Sequence, residues 1–238
     1  MGKRIIPRAR GAAGPRYVSP SHRFLGRVEY FSDGDRTAQV KDIMRDAIHS
    51  APLALVKSND GREILQVAAE GLKVGDTITY GGETVSTGNV IELSKIPEGT
   101  KVFGIETYPG SGPKLCRSSG VFAFVLGRSG NNVSLQFGSR IREFDGRCRV
   151  SIGVPAGGGR TDKPWVSVGK KWHAIHAKGA KIYPRSAGVN MTPADHPYGG
   201  KSKRPRPSRT VSRHAPPGKK VGSIAARRVG KRKGARNA

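Results

Sequence analysis

The sequence predicts a mainly β chain in which two small β-barrels lie between long basic extensions. Short apolar runs separated by Gly, Asn-Asn and Asp-Gly turns recur from about residue 28 to residue 154, as is typical of short strands. The chain of 238 residues contains 33 Gly and 16 Pro, a composition that disfavours long helices. Basic residues are concentrated at both ends, where apolar residues are too sparse to build a core.

The formal net charge of +26 comes from 43 Lys and Arg against 17 Asp and Glu. Residues 1–27 contain seven basic residues and residues 201–238 contain fourteen, with no acidic residue in either segment. Residues 28–87 are acidic on balance, with six basic against ten acidic residues, whereas residues 88–170 contain twelve against six and residues 171–200 four against one. Because such a chain repels itself, we expect a polyanionic partner, either nucleic acid or an anionic surface.

Two classes of protein are disfavoured. The sequence contains neither a run of about 20 apolar residues nor an N-terminal apolar segment typical of a secretory signal. The two cysteines, Cys116 and Cys148, have a spacing that fits neither a zinc cluster nor a secreted disulfide framework. We therefore expect a cytoplasmic protein with reduced, buried cysteines.

Residues 1–27 alternate Arg with Gly, Pro and Ala and are predicted to form a basic arm. The first barrel is predicted over residues 28–87. Within it, Leu53–Lys57 and Ile64–Ala69 flank Ser58-Asn59-Asp60-Gly61 and predict a hairpin.

A second hairpin is predicted from Thr77–Tyr80 and Glu83–Ser86, which flank Gly81-Gly82. The apolar residues between Val40 and Ile48 fit a helical stripe about as well as a bent strand, and the barrel context favours the strand.

The second barrel is predicted over residues 88–170. Its strands are expected at Val121–Leu126, Val133–Phe137, Ile141–Phe144 and Cys148–Val154.

Residues 171–238 are predicted to be a basic C-terminal extension. A short helix is expected between Lys170 and Ala180, ended by Gly179 and Pro184. After Pro193 the chain is rich in Pro, Gly, Lys and Arg, and we expect it to order only when its cations displace counterions from RNA phosphates.

Several sequence motifs are distributed over nearly the whole chain. The three longest are Gly157-Gly158-Gly159-Arg160-Thr161-Asp162-Lys163-Pro164, Asp195-His196-Pro197-Tyr198-Gly199-Gly200, and Ala215 to Arg228. The shorter ones are Ala51-Pro52-Leu53-Ala54, Gly88-Asn89-Val90, Pro97-Glu98-Gly99-Thr100 and Arg117-Ser118-Ser119-Gly120. In content and in order these motifs resemble the ribosomal protein L2 family in its archaeal and eukaryotic form.

The resemblance implies an oligonucleotide-binding (OB) type barrel followed by an SH3-like barrel, with both termini extended into 23S-type ribosomal RNA. It implies a structural protein of the large subunit, active in subunit joining and in assembly of the peptidyl transferase region, where the loop at Asp195-His196-Pro197 approaches the catalytic RNA. The implied partners are large-subunit rRNA, other ribosomal proteins and the small subunit at an intersubunit bridge. No membrane, small-molecule substrate or cofactor is implied beyond the structural Mg²⁺ of the rRNA, and the tail favours an archaeal origin.

The chain departs from the family pattern at two places. Ala187 and Thr192 stand where Arg and Asn are expected, and residues 201–207 replace a stretch that contains Gly and His. The first change removes a cation that could contact phosphate, whereas the second raises general phosphate affinity.

The residues predicted to contact RNA are mostly cations, joined by the glycines and aromatic residues of the motifs. They are Arg117, Ser118, Gly157, Gly158, Gly159, Arg160, Lys163, Arg185, His196, Tyr198, Lys201, Lys203, Arg204, Arg206, Arg209, Arg213, Lys219, Lys220, Arg227 and Arg228.

The glycine triplet Gly157–Gly159 can bring backbone N–H groups close to a phosphate. The Gly-Lys-Ser/Thr of a nucleotide-binding P-loop is missing, so a nucleotide site is rejected. A flexible loop is the plain alternative, but Arg160 and Lys163 favour an RNA phosphate contact.

Asp195 and His196 could form an acid–base pair, but adjacent side chains point apart and no nucleophile accompanies them. An RNA contact by His196 is the favoured reading, and no residue is assigned a catalytic role. His173 and His176 have the spacing of two metal ligands on a helix, but no further ligand is suggested nearby, so packing or phosphate contact is favoured.

Aromatic residues alternate with cations between Trp165 and Tyr198, a pattern that suits unpaired bases. We expect Tyr198 to contact RNA and Trp172 to pack. A basic stripe on the second barrel is predicted from Arg117 and Ser118, Arg140 and Arg142, and Arg147 and Arg149. A solvated face is the alternative, and the positive net charge of residues 88–170 favours RNA.

Two alternatives to an RNA-binding structural protein stay open at this level. A chromatin-type DNA-binding protein is also basic and tailed, and an enzyme would use Asp195 and His196.

Overall fold

The computed structural model describes residues 5–12, 14–15, 17–18, 20–32, 36–177, 183–200, 210–216 and 219–226. The chain divides into two compact units. The β unit is residues 20–179, and the terminal unit combines residues 1–19 with residues 180–238.

Ten strands of the β unit form one hydrogen-bonded sheet in the order β3-β2-β1-β4-β5-β10-β6-β7-β8-β9. Their bounds are β1 (Arg36–Met44), β2 (Leu53–Ser58), β3 (Glu63–Val67), β4 (Thr77–Tyr80), β5 (Val90–Glu92), β6 (Lys101–Phe103), β7 (Ala123–Ser129), β8 (Asn132–Phe137), β9 (Arg140–Asp145) and β10 (Arg149–Ile152). The mainly β fold class is therefore confirmed, whereas the domain boundaries after residues 27, 87 and 170 stay predictions.

The first predicted hairpin is confirmed by β2 and β3, which pair antiparallel from Leu53 opposite Val67 to Lys57 opposite Glu63. The ambiguous segment is a strand, β1, which pairs with β2 and contains a bulge between Val40 and Asp42. It ends at Met44, so its continuation to Ile48 was wrong.

The second predicted hairpin was wrong, because residues 83–86 form no strand. Strand β4 pairs with β1 on one side and, at Tyr80 opposite Val90, with β5 on the other. The Asn89 side chain takes the place of a pairing strand, since it accepts a hydrogen bond from the Thr79 N–H (3.1 Å) and donates one to the Thr84 carbonyl (3.0 Å).

The four strands predicted for the second barrel are confirmed as β7 to β10. Strands β5 and β6 were not predicted, because each has only three residues and shows no clear alternation.

Three apolar clusters stabilise the β unit. We call β1–β4 the first strand group and β5–β10 the second. The first cluster lies in the first strand group and the segment before it, with Val90 added from β5, and contains Tyr30, Phe31, Ala38, Val40, Ala54, Val56, Ala68, Ile78, Tyr80 and Val90. The second lies within β5–β10 and contains Ile91, Leu93, Ile96, Val102, Ile105, Ala123, Val125, Val133, Leu135, Cys148, Val150 and Ile152. The third joins the two strand groups and contains Val28, Ala51, Leu53, Val67, Ala69 and Phe103.

Polar groups also join the two strand groups, at Glu106 and Arg149. The Glu106 carboxylate is fully buried and accepts hydrogen bonds from the Gly112 N–H (3.0 Å), the Arg149 N–H (2.9 Å) and Arg149 Nη2 (3.0 Å). Arg149 Nη1 donates to the Phe31 carbonyl, and the guanidinium lies 5.7 Å from the Tyr30 ring centroid. Arg149 is thus an internal residue, and its place in the predicted basic stripe was wrong.

Both cysteines are free thiols. Cys148 is buried as predicted, whereas Cys116 is only half-buried. Burial raises the pKa of each thiol to about 11, so both carry their protons at neutral pH.

Two α-helices are described, α1 (Ile6–Gly11) and α2 (Val168–Ala177). Helix α2 confirms the predicted short helix, starting two residues earlier, whereas α1 was not predicted for the basic arm. A two-stranded parallel pair, β11 (Thr210–Val211) and β12 (Ser223–Ile224), was not predicted either. Neither described helix has the length and apolar character needed to span a bilayer.

We expect Glu106→Gln to destabilise the protein by about 3 kcal/mol, because it leaves the mostly buried Arg149 guanidinium without its carboxylate. Urea unfolding followed by circular dichroism measures this. The control Glu63→Gln breaks only the exposed 3.7 Å pair with Lys57 and should cost less than about 1 kcal/mol. Equal losses in the two variants would contradict the role assigned to Glu106.

Candidate nucleic-acid interface

Two glycine-containing motifs of the sequence come together in the β unit. A Cβ atom built on Gly120 would lie 2.6 Å from the Gly158 Cα, so the two backbones touch where no side chain fits. Gly120 has φ of +70° and donates its N–H to the Pro155 carbonyl (3.0 Å). The predicted glycine loop is therefore packed against the 117–120 segment.

Side chains reinforce this contact. Arg160 Nε donates to the Ser119 hydroxyl, and the Ser119 N–H donates to the Ser50 hydroxyl (3.1 Å). Ser118, Arg160 and Lys163 are exposed and Arg117 is half-buried. The contact with Ser119 holds the Arg160 guanidinium beside the glycine loop.

An open cleft of about 700 Å³ lies next to this contact, and we call it the basic cleft. Its lining residues are Arg23, Arg45, Asp46, Ala47, His49, Ser50, Ala51, Pro52, Gly157, Arg160, Ala174 and Ala177. Of the predicted RNA-binding residues it contains Gly157 and Arg160. Sequence reasoning missed Arg23, Arg45 and His49, which no local motif marks.

Asp46 fixes the segment that forms one wall of the basic cleft. Its buried carboxylate accepts hydrogen bonds from the N–H groups of Leu25 (3.1 Å), Ala47 (2.8 Å) and His49 (3.3 Å), and it pairs with His49 Nδ1. Burial raises the pKa of Asp46, but the hydrogen bonds from the His49 side chain and from these N–H groups together outweigh it and lower the pKa. Asp46 is therefore an anchor for the loop and stays ionised at neutral pH.

Helix α2 forms another wall, through Ala174 and Ala177. None of its residues is buried. Trp172 stacks on His176 with ring centroids 3.9 Å apart and remains 40% exposed, so it packs locally but not in a core. His173 lies at the edge of the same indole ring, with centroids 5.0 Å apart.

The predicted basic stripe is partly present. Arg140 and Arg142 lie exposed two residues apart on β9, as the alternation predicts. Arg147 is exposed and forms a bidentate pair with Asp145, at 2.8 and 3.1 Å. Hydrogen bonds from Arg147 hold the pKa of Asp145 at about 2.

In the terminal unit, the predicted loop around His196 has a defined conformation. The Thr192 carbonyl accepts the N–H groups of Asp195 (3.0 Å) and His196 (3.2 Å). A Cβ on Gly199 would lie 2.2 Å from the Thr192 oxygen, and a Cβ on Gly188 would lie 2.4 Å from the His196 ring. Only glycine fits at these two positions.

The imidazole of His196 lies between Gly188 and Tyr198, and its Nδ1 accepts the Tyr198 N–H (3.1 Å). The ring nitrogen left to donate is therefore Nε2. Asp195 accepts a hydrogen bond from the Thr192 hydroxyl (3.0 Å), a contact that stabilises the turn. The enzyme alternative gains no support from this arrangement.

Two motifs meet in the terminal unit. The Tyr198 hydroxyl donates to the carbonyl of Val221 (2.7 Å), a buried residue of the 215–228 motif. Tyr198 thus has a structural contact, while its predicted RNA contact stays a prediction.

Of the other cations predicted to contact RNA, some lie within the described residues and some lie outside them. Arg185, Arg213 and Lys219 are exposed, and Lys220 is half-buried. Those outside the described residues are Lys201, Lys203, Arg204, Arg206, Arg209, Arg227 and Arg228.

Within the described residues, no group of three or more His, Cys, Asp or Glu side chains is placed to hold a metal ion. The interface instead presents arginine and lysine side chains on a rigid β framework. A basic protein with exposed arginines and lysines on a β framework is of the class that typically binds polyanions.

Comparison with known proteins identifies the family. Residues 86–220 match the family model described as Ribosomal Proteins L2, C-terminal domain. The chain is 48% identical to the large ribosomal subunit protein uL2 of Archaeoglobus fulgidus, covering 98% of this chain and all of that protein. It is 45% identical to the proteins of that name from Methanothermobacter thermautotrophicus and Methanosphaera stadtmanae, with the same coverage. The chain belongs to the ribosomal protein L2 family, a structural and non-enzymatic family, so the resemblance seen in its motifs is confirmed.

We expect Gly120→Ala to destabilise the protein by about 3 kcal/mol, since it adds a clash with Gly158 to the strain of a left-handed backbone. Gly130→Ala is the matched control, because Gly130 has φ of +59° but open space around it, and it should cost only about 1 kcal/mol. Urea unfolding midpoints compare the two. A loss no larger for Gly120→Ala than for Gly130→Ala would refute the packed contact.

Proposed function

We propose that this protein is a structural constituent of the large ribosomal subunit that binds 23S-type rRNA. The observation that carries the proposal is the excess of cations within a chain of the L2 family: residues 201–238 contain fourteen basic residues and no acidic one. Lysine and arginine side chains placed along folded RNA neutralise phosphates that would otherwise repel one another. The protein accordingly acts in the cytoplasm, as part of the ribosome.

The cations of the β unit and of the two termini have different tasks in this proposal. Arg140 and Arg142 lie on β9, and Arg160 is held by its hydrogen bond to Ser119, which suits contacts of fixed geometry. Lys163 is exposed three residues beyond Arg160. The arginines and lysines of the terminal segments follow the RNA backbone between helices. Other ribosomal proteins lie against the first strand group, whose segment 28–87 has a negative net charge.

The finer role concerns the peptidyl transferase region and subunit joining. The loop at residues 192–200 is held by its own backbone hydrogen bonds, which lets it present His196 in one orientation. We propose that the Nε2–H of His196 contacts rRNA near the catalytic centre, and that the protein contributes to an intersubunit bridge.

The terminal cations can be tested in the full chain by replacing Lys201, Lys203, Arg204, Arg206, Arg209 and Arg213 with Gln. The slope of log K against log salt for an rRNA fragment should become shallower by up to about five units, roughly 0.9 for each lost phosphate contact. The control replaces Lys41, Arg62 and Lys73 of the acidic segment and should leave the slope unchanged.

Fluorescence anisotropy over a salt series measures both variants, with duplex DNA as competitor. An unchanged slope in the sixfold variant would contradict a role for these cations. Stronger binding to duplex DNA than to rRNA at every salt concentration would favour the DNA-binding alternative.

We expect His196→Ala to leave rRNA affinity of the isolated protein within about fivefold, because one neutral hydrogen bond contributes only about 1 kcal/mol. Large subunits reconstituted with this variant should lose peptidyl transferase activity. His214→Ala, at an exposed position of the same unit, is the control and should retain activity. Wild-type peptide synthesis by His196→Ala subunits would refute the proposed placement.

A further inference from the structure

The basic cleft combines two kinds of wall. Arg23, Arg45 and Arg160 supply cations, and Arg23 and Arg45 come from segments that no sequence motif connects with Arg160. Ala47, Ala51, Pro52, Ala174 and Ala177 supply small apolar surfaces. A ligand that fits both walls has an anionic part and a flat apolar part.

The three arginines lack carboxylate partners among the residues described between 20 and 177. The carboxylate that lines the cleft, that of Asp46, is fully buried and already accepts four hydrogen bonds. The guanidinium groups are therefore available to an external anion, and their planar forks suit phosphate oxygens.

The size of the cleft sets a second condition. A volume of about 700 Å³ lies in the range of pockets that hold ligands much larger than one phosphate. The alanine and proline side chains offer a surface against which the face of a base can lie. Proteins that recognise RNA often take bases that are splayed out of a helix.

We propose that the basic cleft receives one unpaired nucleotide of the RNA, with its base against the alanine and proline wall and its phosphate on the arginines. This inference rests on the proposed function and names the chemistry of one contact within it. It assigns the binding role to Arg23, Arg45 and the Ala174–Ala177 face of α2.

The walls of the cleft are held in place before a ligand binds. Asp46 ties the 45–49 segment to Leu25, two residues beyond Arg23. The touching backbones of Gly120 and Gly158 fix the segment that contains Gly157 and Arg160. Such preorganisation reduces the entropy lost on binding.

The experiment uses the full chain and two kinds of RNA hairpin of about 20 base pairs. One kind contains a single unpaired nucleotide, prepared with each of the four bases and also with 2-aminopurine, and the other is fully paired. The wild-type protein should bind at least one bulged hairpin roughly tenfold more tightly than the paired one, a difference of about 1.4 kcal/mol. The fluorescence of the bulged 2-aminopurine should change on binding.

Ala177→Leu narrows the cleft without changing charge, at an exposed helical position that tolerates leucine. It should abolish the preference for the bulge and leave the affinity for the paired hairpin within about twofold. Ala177→Ser keeps the cleft open and should retain the preference. Thermal unfolding of both variants confirms that they are folded.

Arg45→Ala should weaken the bulged complex more than the paired one. Arg142→Ala removes one positive charge from β9, outside the cleft. It should weaken binding to the bulged and the paired hairpin by the same factor. Equal affinities of the wild type for every bulged hairpin and the paired one, or a preference that survives Ala177→Leu, would overturn the proposed cleft contact while leaving RNA binding intact. Failure of the wild type to bind any RNA would instead overturn the proposed function.

Discussion

The structure depends on a shortage of carboxylates. With 17 acidic residues for 43 basic ones, most arginines and lysines cannot find a partner within the chain. The compact chain therefore repels itself unless anions from outside lie against it. The fold therefore determines which cations pair with carboxylates inside the protein and which face the solvent.

The carboxylates that are buried stabilise the framework. Glu106 joins the two strand groups through Arg149, and Asp46 closes the turn beside the basic cleft. Arg149 pairs with Glu106 and is therefore not available to an external anion. Arg23, Arg45 and Arg160 line the basic cleft. The scarcity of carboxylates thus leaves these cations for an anion from outside the chain.

Local patterns predicted much of the fold. The hairpin of β2 and β3 could be recognised because an Asp-Gly turn separates two apolar runs, and β7 to β10 followed from similar turns. The absence of a strand at residues 83–86 could not be predicted from local pattern. It depends on the Asn89 side chain, which occupies the edge of β4 by accepting the Thr79 N–H. Strands β5 and β6 are too short to show a pattern.

The candidate site was predicted in part for a similar reason. The glycine loop and the 117–120 segment are motifs in themselves, but their contact joins residues about 40 positions apart. Arg23 and Arg45 carry no local signal, because tertiary folding alone brings them to Arg160. Arg149 is the opposite case, because the alternation of the strand predicted an exposed cation. In the structure its guanidinium is mostly buried and pairs with Glu106.

The central claim is that an external polyanion neutralises the excess cations of the chain. Its most direct test is sedimentation of a cell lysate through sucrose gradients at low and high salt. The protein should migrate with large subunits at low salt and be released only when the salt concentration is high. Its recovery near the top of the low-salt gradient, apart from the subunits, would contradict the account.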